Sequence, residues 1–267
     1  MTRVIEANGR RYGCDLSGTG PAIVLLHAGI CNRHMYDPLV EALGADFRVL
    51  NFDQAGFGDS PPPPDPISPV HDLIGLMDAV GMPVAVLVGT SLGSRVAFDA
   101  ALAAPARVRA LVAAGPGLSG RASSAGMVAL GEEVDRAFEA GDIALANELE
   151  MRIWMDGVGR TAPVDPAVRT LVASMNQRIL EDASVGAELQ ELPPRRPATD
   201  NLGSVRCPVL VVVGECDQPH ILETSRMIEQ DVPDSTVVGI PETAHLPSLE
   251  RPKIFAELLR GFLTRLG

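Results

Sequence analysis

Gly89-Thr90-Ser91-Leu92-Gly93 sets a hydroxyl between two residues that carry no side chain. A serine hydroxyl is a weak nucleophile on its own. Attack on a carbonyl requires a base to take its proton and a carboxylate to orient that base. The chain has five histidines, and His245 in Glu242-Thr243-Ala244-His245-Leu246-Pro247 is the expected base. The segment Val211-Val212-Val213-Gly214-Glu215-Cys216-Asp217 carries an apolar run into an acidic loop. Asp217 is the expected carboxylate, with Glu215 as the competing reading two residues away. Outside such a set, His245 would be a solvated loop histidine and Asp217 a turn or helix-capping residue. Of the other histidines, His71 and His220 read as surface or capping residues, His34 as a possible pocket residue, and His27 as a brace for its loop.

These residues can meet only if the surrounding elements bring them together. Val84–Val88 is short, continuous and branched, as a buried parallel strand is, whereas Val96, Ala97, Ala100, Ala101 and Ala104 repeat at helical spacing. Ser91 therefore falls on a sharp strand-to-helix turn that excludes bulk two residues to either side. The Leu92 N–H, at the start of the helix, faces any charge that forms on a carbonyl bound there. Further strands are predicted at Arg11–Leu16, Ala22–Leu26, Phe47–Phe52, Val108–Ala113, Cys207–Val213 and Thr236–Ile240. Helices are predicted from Ser68-Pro69 to Val80 and over Pro252–Leu266. Alternating strands and helices imply an α/β architecture, a mostly parallel sheet with helices on both faces. Such sheets gather ligands at the carboxyl ends of their strands, where Ser91, Asp217 and His245 all lie.

Between residues 117 and 201 the strand signal disappears, and helices are expected over about Met127–Glu139, Ile143–Trp154 and Asp165–Glu181. The division expected is a core of residues 1–116 and 202–267 with a helical cap of residues 117–201 over the strand ends. Trp154, the single tryptophan, is read first as packing and second as a substrate contact.

With these motifs in order, the chain resembles the α/β-hydrolase superfamily, in its serine-nucleophile branch with a helical cap. His27-Ala28-Gly29 resembles the family's His-Gly-x loop, with Ala28 where glycine is usual. Asp53-Gln54-Ala55-Gly56-Phe57-Gly58-Asp59-Ser60 resembles its Asp-x-x-Gly-x-Gly-x-Ser turn, and Gly214-x-x-Asp217 and His245 resemble its acid and base loops. The resemblance implies an eight-stranded-type sheet, an oxyanion hole from the N–H groups of Leu92 and Gly29 with Ile30 as the fallback, and no cofactor and no metal. Ile30, His34, Trp154 and Leu246 are the expected substrate contacts. Serine at position 91 departs from epoxide hydrolases and haloalkane dehalogenases, whose pattern places aspartate there.

Composition narrows the partners. With 22 Lys and Arg against 34 Asp and Glu the net charge is −12, and no basic run is present, which disfavours nucleic acid and anionic membranes. No signal peptide or membrane span is read, and Cys14, Cys31, Cys207 and Cys216 lack metal-ligand spacing, so a cytoplasmic protein with reduced thiols is expected. A Cys31–Cys216 pair stays open at this point. Aromatic residues make up 4% of the chain, which suits a moderately apolar pocket for a small to medium ester or lactone. Hydrolysis of such a substrate through an acyl-enzyme is the expected function. Carbon–carbon bond hydrolysis, acyl transfer, and a slow-turnover small-molecule receptor of the same fold are the alternatives.

Overall fold

Strands buried on both faces alternate their side chains between two cores, and this chain does so along its central strands. In a computed structural model, which describes residues 3–185 and 190–266, Ile23 and Leu25 enter one core while Val24 and Leu26 enter the other. Val86 and Val88 oppose Leu87 in the same way, as Leu210 and Val212 oppose Val209 and Val211. The strands are β1 (Arg3–Ala7), β2 (Arg10–Ser17), β3 (Ala22–Leu26), β4 (Arg48–Phe52), β5 (Ala85–Ser91), β6 (Val108–Pro116), β7 (Val209–Gly214) and β8 (Ser235–Ile240). They form one eight-stranded sheet in the order β1-β2-β4-β3-β5-β6-β7-β8, in which β2 alone runs against the others.

Helices cover both faces. One core is closed by α2 (Pro69–Ala79), α3 (Leu92–Ala103) and α7 (Pro219–Asp231), through Leu73, Phe98 and Ile228 among others. The opposite core is closed by α1 (Asp37–Leu43), the short α8 (Pro247–Glu250) and α9 (Pro252–Arg265), through Leu39, Leu249 and Phe255. Ser68 caps α2 by accepting the His71 N–H, with Pro69 in the first turn.

Between β6 and β7 the chain makes α4 (Ala125–Glu139), α5 (Ile143–Met151) and α6 (Pro166–Val185). The sequence suggests one uninterrupted helix through Trp154. Instead α5 ends at Met151 and a π-helical turn spans Arg152–Asp156. Such turns are rare and widen the helix locally, re-aiming the side chains on it. Three further elements escaped the sequence reading: the edge strand β1, the seven-residue α1 and the four-residue α8. Among the described residues, no helix is long and apolar enough to cross a membrane.

Candidate active site

Pairing register explains why distant motifs converge. Leu26 pairs with Gly89 across β3 and β5, so the segments that follow, His27-Ala28-Gly29 and Thr90-Ser91-Leu92, leave the sheet side by side. From β3 the chain goes to β4 on one side, then crosses to β5 on the other. That reversal opens a crevice at the carboxyl edge. Tyr36 ties the two strand ends, donating to the Leu26 carbonyl at 2.9 Å and sharing a 2.8 Å hydrogen bond with Thr90 Oγ1.

Ser91 sits at φ +52°, ψ −109°, a conformation that few side chains adopt. Its flanking glycines are required by contact. A Cβ on Gly89 would lie 2.4 Å from the Gly93 backbone, and one on Gly93 would lie 2.0 Å from the Leu26 carbonyl oxygen. The Gly93 N–H donates to the His27 carbonyl at 3.1 Å, which fixes the turn against the loop after β3.

His245 follows β8 and Asp217 follows β7, whose last residue Gly214 pairs with Ile240. His245 Nδ1 lies 2.9 Å from Asp217 Oδ2 and 3.1 Å from Oδ1, and both side chains are almost fully buried. Asp217 Oδ1 also accepts the Gln218 N–H at 2.7 Å. With an acceptor facing Nδ1, the imidazole proton resides there, and Nε2 keeps a lone pair. The close loop approach requires Gly214, where a Cβ would meet the Ala244 carbonyl oxygen at 2.1 Å. Gly115, at φ +47°, lets the end of β6 pass the ring, since a Cβ there would fall 2.9 Å from His245 Nδ1. Glu215 takes a different position: its carboxylate lies against the backbone of Gly239 in β8. Asp217 alone of the two carries the contact to His245.

A pocket of about 450 Å³ is lined by Ser91, His245, Leu92, Gly29, Ile30 and Trp154, together with Ala28, Arg95, Gly117, Leu118 and Glu150. Its size suits a small to medium ligand. The expected nucleophile, base, N–H donors and two of the four expected substrate contacts thus share one cavity. Ala28 is not among the residues with positive φ, so the backbone there makes no demand for glycine. The other two expected contacts lie elsewhere. His34 follows the capping residue Asn32 and turns outward to Asp37, 2.9 Å away, with its side chain 43% exposed. Leu246 is fully buried in the core beside Leu249 and Phe255 and serves packing.

Trp154 does more than fill space. Its ring lies 4.4 Å from the His245 ring at an interplanar angle of 35°, and its carbonyl accepts the His245 N–H at 3.2 Å. Gln218 Nε2 donates to the Ile153 carbonyl at 2.7 Å, so the π-helical turn supports both the loop of Asp217 and the loop of His245. Glu150 was missed from sequence because a glutamate on an amphipathic helix reads as solvated. Gly117 and Leu118 could have been found, because they leave β6 at the same sheet edge as Ser91.

The neighbouring motifs are structural. His27 is buried, donates from Nδ1 to the Ala28 carbonyl and accepts the Gln54 N–H at Nε2. Burial pushes its pKa down, and with both nitrogens committed it braces the loop. Asp53 accepts the N–H groups of Arg33 and Asp59 at 2.7 and 2.8 Å, and pairs with the Arg33 guanidinium. Gly58 keeps clear of that carboxylate, which a Cβ would overlap. All four cysteines are free thiols, which closes the question of a Cys31–Cys216 bond. Among the described residues no group of three or more His, Cys, Asp or Glu could hold a metal ion.

Comparison with known proteins agrees with this architecture. The chain is 28% identical to a 2-(acetamidomethylene)succinate hydrolase of Mesorhizobium japonicum, over 92% of the chain and 89% of that protein. It is 24% identical to a putative 2-succinyl-6-hydroxy-2,4-cyclohexadiene-1-carboxylate synthase of Bacillus subtilis, over 98% of each. A thermophilic esterase from Thermogutta terrifontis, solved with malate bound, matches with a TM-score of 0.80 at 26% identity, covering 100% of this chain and 99% of that one. The model of the alpha/beta hydrolase family matches residues 23–258. With six of the eight strands inside that match, the chain belongs to the alpha/beta hydrolase family.

Proposed function

We propose that this protein hydrolyses a small to medium carboxylic ester or lactone through an acyl-enzyme on Ser91, without a cofactor. The observation that carries the reading is the His245–Asp217 contact at 2.9 Å beside a pocket that also holds a strained Ser91. In the first step Ser91 Oγ attacks the carbonyl carbon while His245 Nε2 takes its proton. The oxygen that becomes negative is held by the N–H groups of Leu92 and Gly29, each worth about 3 kcal/mol of barrier. The carbon–oxygen bond then breaks and Nε2 returns the proton to the departing alcohol, which stays tethered when the substrate is a lactone. Water, deprotonated by Nε2, attacks the acyl carbon; the bond to Ser91 Oγ breaks and Nε2 returns the proton to that oxygen, freeing the carboxylic acid product. Asp217 holds the imidazole and stabilises its charged form. The helices of residues 117–201 act as a cap that contributes Trp154 and Glu150 to the pocket.

Stopped-flow hydrolysis of p-nitrophenyl esters from acetate to octanoate tests the reading, with Ser91→Ala run alongside. Continued turnover is expected in the unaltered protein, lost by roughly four to six orders of magnitude in Ser91→Ala. Equal rates in the two would overturn the role of Ser91. A single burst without turnover would reassign the protein to acyl transfer or ligand reception.

A further inference from the structure

Among the described residues, Glu150 of α5 is the only carboxylate lining the pocket that Ser91 and His245 share. It precedes Trp154 by four residues, so the two stand where α5 passes into the π-helical turn. Glu150 Oε2 accepts from Asn176 Nδ2 at 2.5 Å. That same nitrogen donates to Asn147 Oδ1 at 2.9 Å, so both amide hydrogens of a buried asparagine are committed. Glu150 Oε1 has no hydrogen-bond partner among the described residues. Among the described residues no cation pairs with it, and Arg95, the one arginine of these that lines the pocket, is held two-pronged by Glu191, with Nη1 2.7 Å from Oε2 and Nη2 2.9 Å from Oε1. Burial pushes the Glu150 carboxyl above its ordinary range, and the charge of Asp135 on α4 adds to the rise against the bond from Asn176. A carboxyl half-buried in the pocket wall, held at one oxygen and without a protein donor at the other, gains from a donor that a ligand brings.

We propose that Glu150 is a specificity-determining residue that reads a hydrogen-bond donor, an amine above all, on the part of the acyl or lactone substrate remote from the scissile carbonyl. It turns away substrates that end there in a carboxylate. The inference rests on the hydrolase reading of Ser91. An ammonium supplies both the donor and the charge that Oε1 lacks, a hydroxyl supplies the donor alone, and a second carboxylate would repel.

Three p-nitrophenyl esters of matched length test it: aminohexanoate, heptanoate and the half-ester of heptanedioate, compared as ratios of kcat/KM. The unaltered protein is expected to favour the amine over the methyl terminus by about ten- to a hundredfold, the range for a hydrogen bond to a charged group. In Glu150→Gln this ratio is expected to fall to near unity, and the heptanedioate ester to gain on heptanoate. Glu150→Asp, which keeps the charge but withdraws it by one methylene, is expected to retain part of the preference. A merely structural role would move all three esters together and leave the ratios alone. No amine preference in the unaltered protein, or the same ratios in Glu150→Gln, overturns the inference while Ser91-dependent hydrolysis stands. Absence of Ser91-dependent hydrolysis of all three esters overturns the hydrolase reading, and this inference with it.

Discussion

Replacing Ser91 by glycine is expected to raise the melting temperature while removing the proposed nucleophile. At φ +52°, ψ −109° the residue lies outside the left-handed helical region, where ψ would be positive, and nothing but the surrounding fold holds it there. Backbone strain of this kind costs on the order of 1–3 kcal/mol. Glycine relieves it but adds roughly 0.5–1 kcal/mol of unfolded-state entropy, and the midpoints of the two ranges leave a net gain of about 1 kcal/mol. Over 267 residues, at roughly 2.1 cal/mol/K of unfolding entropy per residue, that gain raises Tm by about 2 °C. Ser91→Ala is the necessary companion, because it loses the hydroxyl yet keeps the Cβ and hence the strain. Its Tm is expected within about a degree of the unaltered protein. Calorimetric melts of the three proteins decide the matter, with both variants inactive in the ester assay. A Ser91→Gly melt at or below that of Ser91→Ala would refute the claim that the fold stores strain at this turn.

Three other perturbations bear on the site and its supports. Asp217→Asn turns an amide N–H toward His245 Nδ1 and forces the ring proton onto Nε2; ester turnover is expected to fall by about 10⁴-fold with the Tm little changed. Arg33→Met leaves Asp53 buried without its cation, and urea unfolding should report a loss of about 3–5 kcal/mol. Asp99 is buried on α3, accepts the Ser119 hydroxyl, and has its pKa raised by desolvation from 3.8 to about 6. A raised carboxyl pKa means the folded state holds the proton more tightly than the unfolded chain. The destabilisation is therefore absent below pH 3.8, grows as pH rises through 6, and levels at about 3 kcal/mol above it. Asp99→Asn should recover most of that at pH 8 and almost none at pH 3.5, as urea unfolding at the two pH values would show. Equal gains at both would refute the burial explanation.

The sheet was readable because its central strands are buried on both faces, so Ala22–Leu26, Ala85–Val88 and Val209–Val213 appear as unbroken apolar runs. The candidate site was readable for a related reason: its residues follow those runs at fixed short distances, at one sheet edge. What escaped lacks such a signal. β1 lies at the sheet edge with mostly exposed side chains, and neither alternation nor an apolar run marks it. The π-helical turn was hidden because periodicity continues through Arg152 and Trp154; the departure answers contacts with residues 216–245, which no local pattern encodes. Side-chain direction was the other blind spot. His34 and Leu246 stand within a few residues of the pocket, yet a capped turn aims one at solvent and the core takes the other.

The residues proposed to react come from the sheet edge, and those proposed to select come from the insertion, but the two are not mechanically separate. Trp154 contacts His245 by ring and by carbonyl, Gln218 holds the Ile153 carbonyl, and the Val158 N–H donates to the Cys216 carbonyl at 2.7 Å. Gly157, at φ +75°, brings the backbones close, since a Cβ there would lie 2.9 Å from that same carbonyl oxygen. Residues 153–158 thus brace the loops that carry Asp217 and His245. A rigid-body swing of the whole insertion would break every one of these bonds and strip the imidazole of its packing. The same insertion carries Glu150, whose carboxylate is held by Asn176 of α6, so the residue proposed to read the substrate is tied through α5 and α6 to the loops of Asp217 and His245.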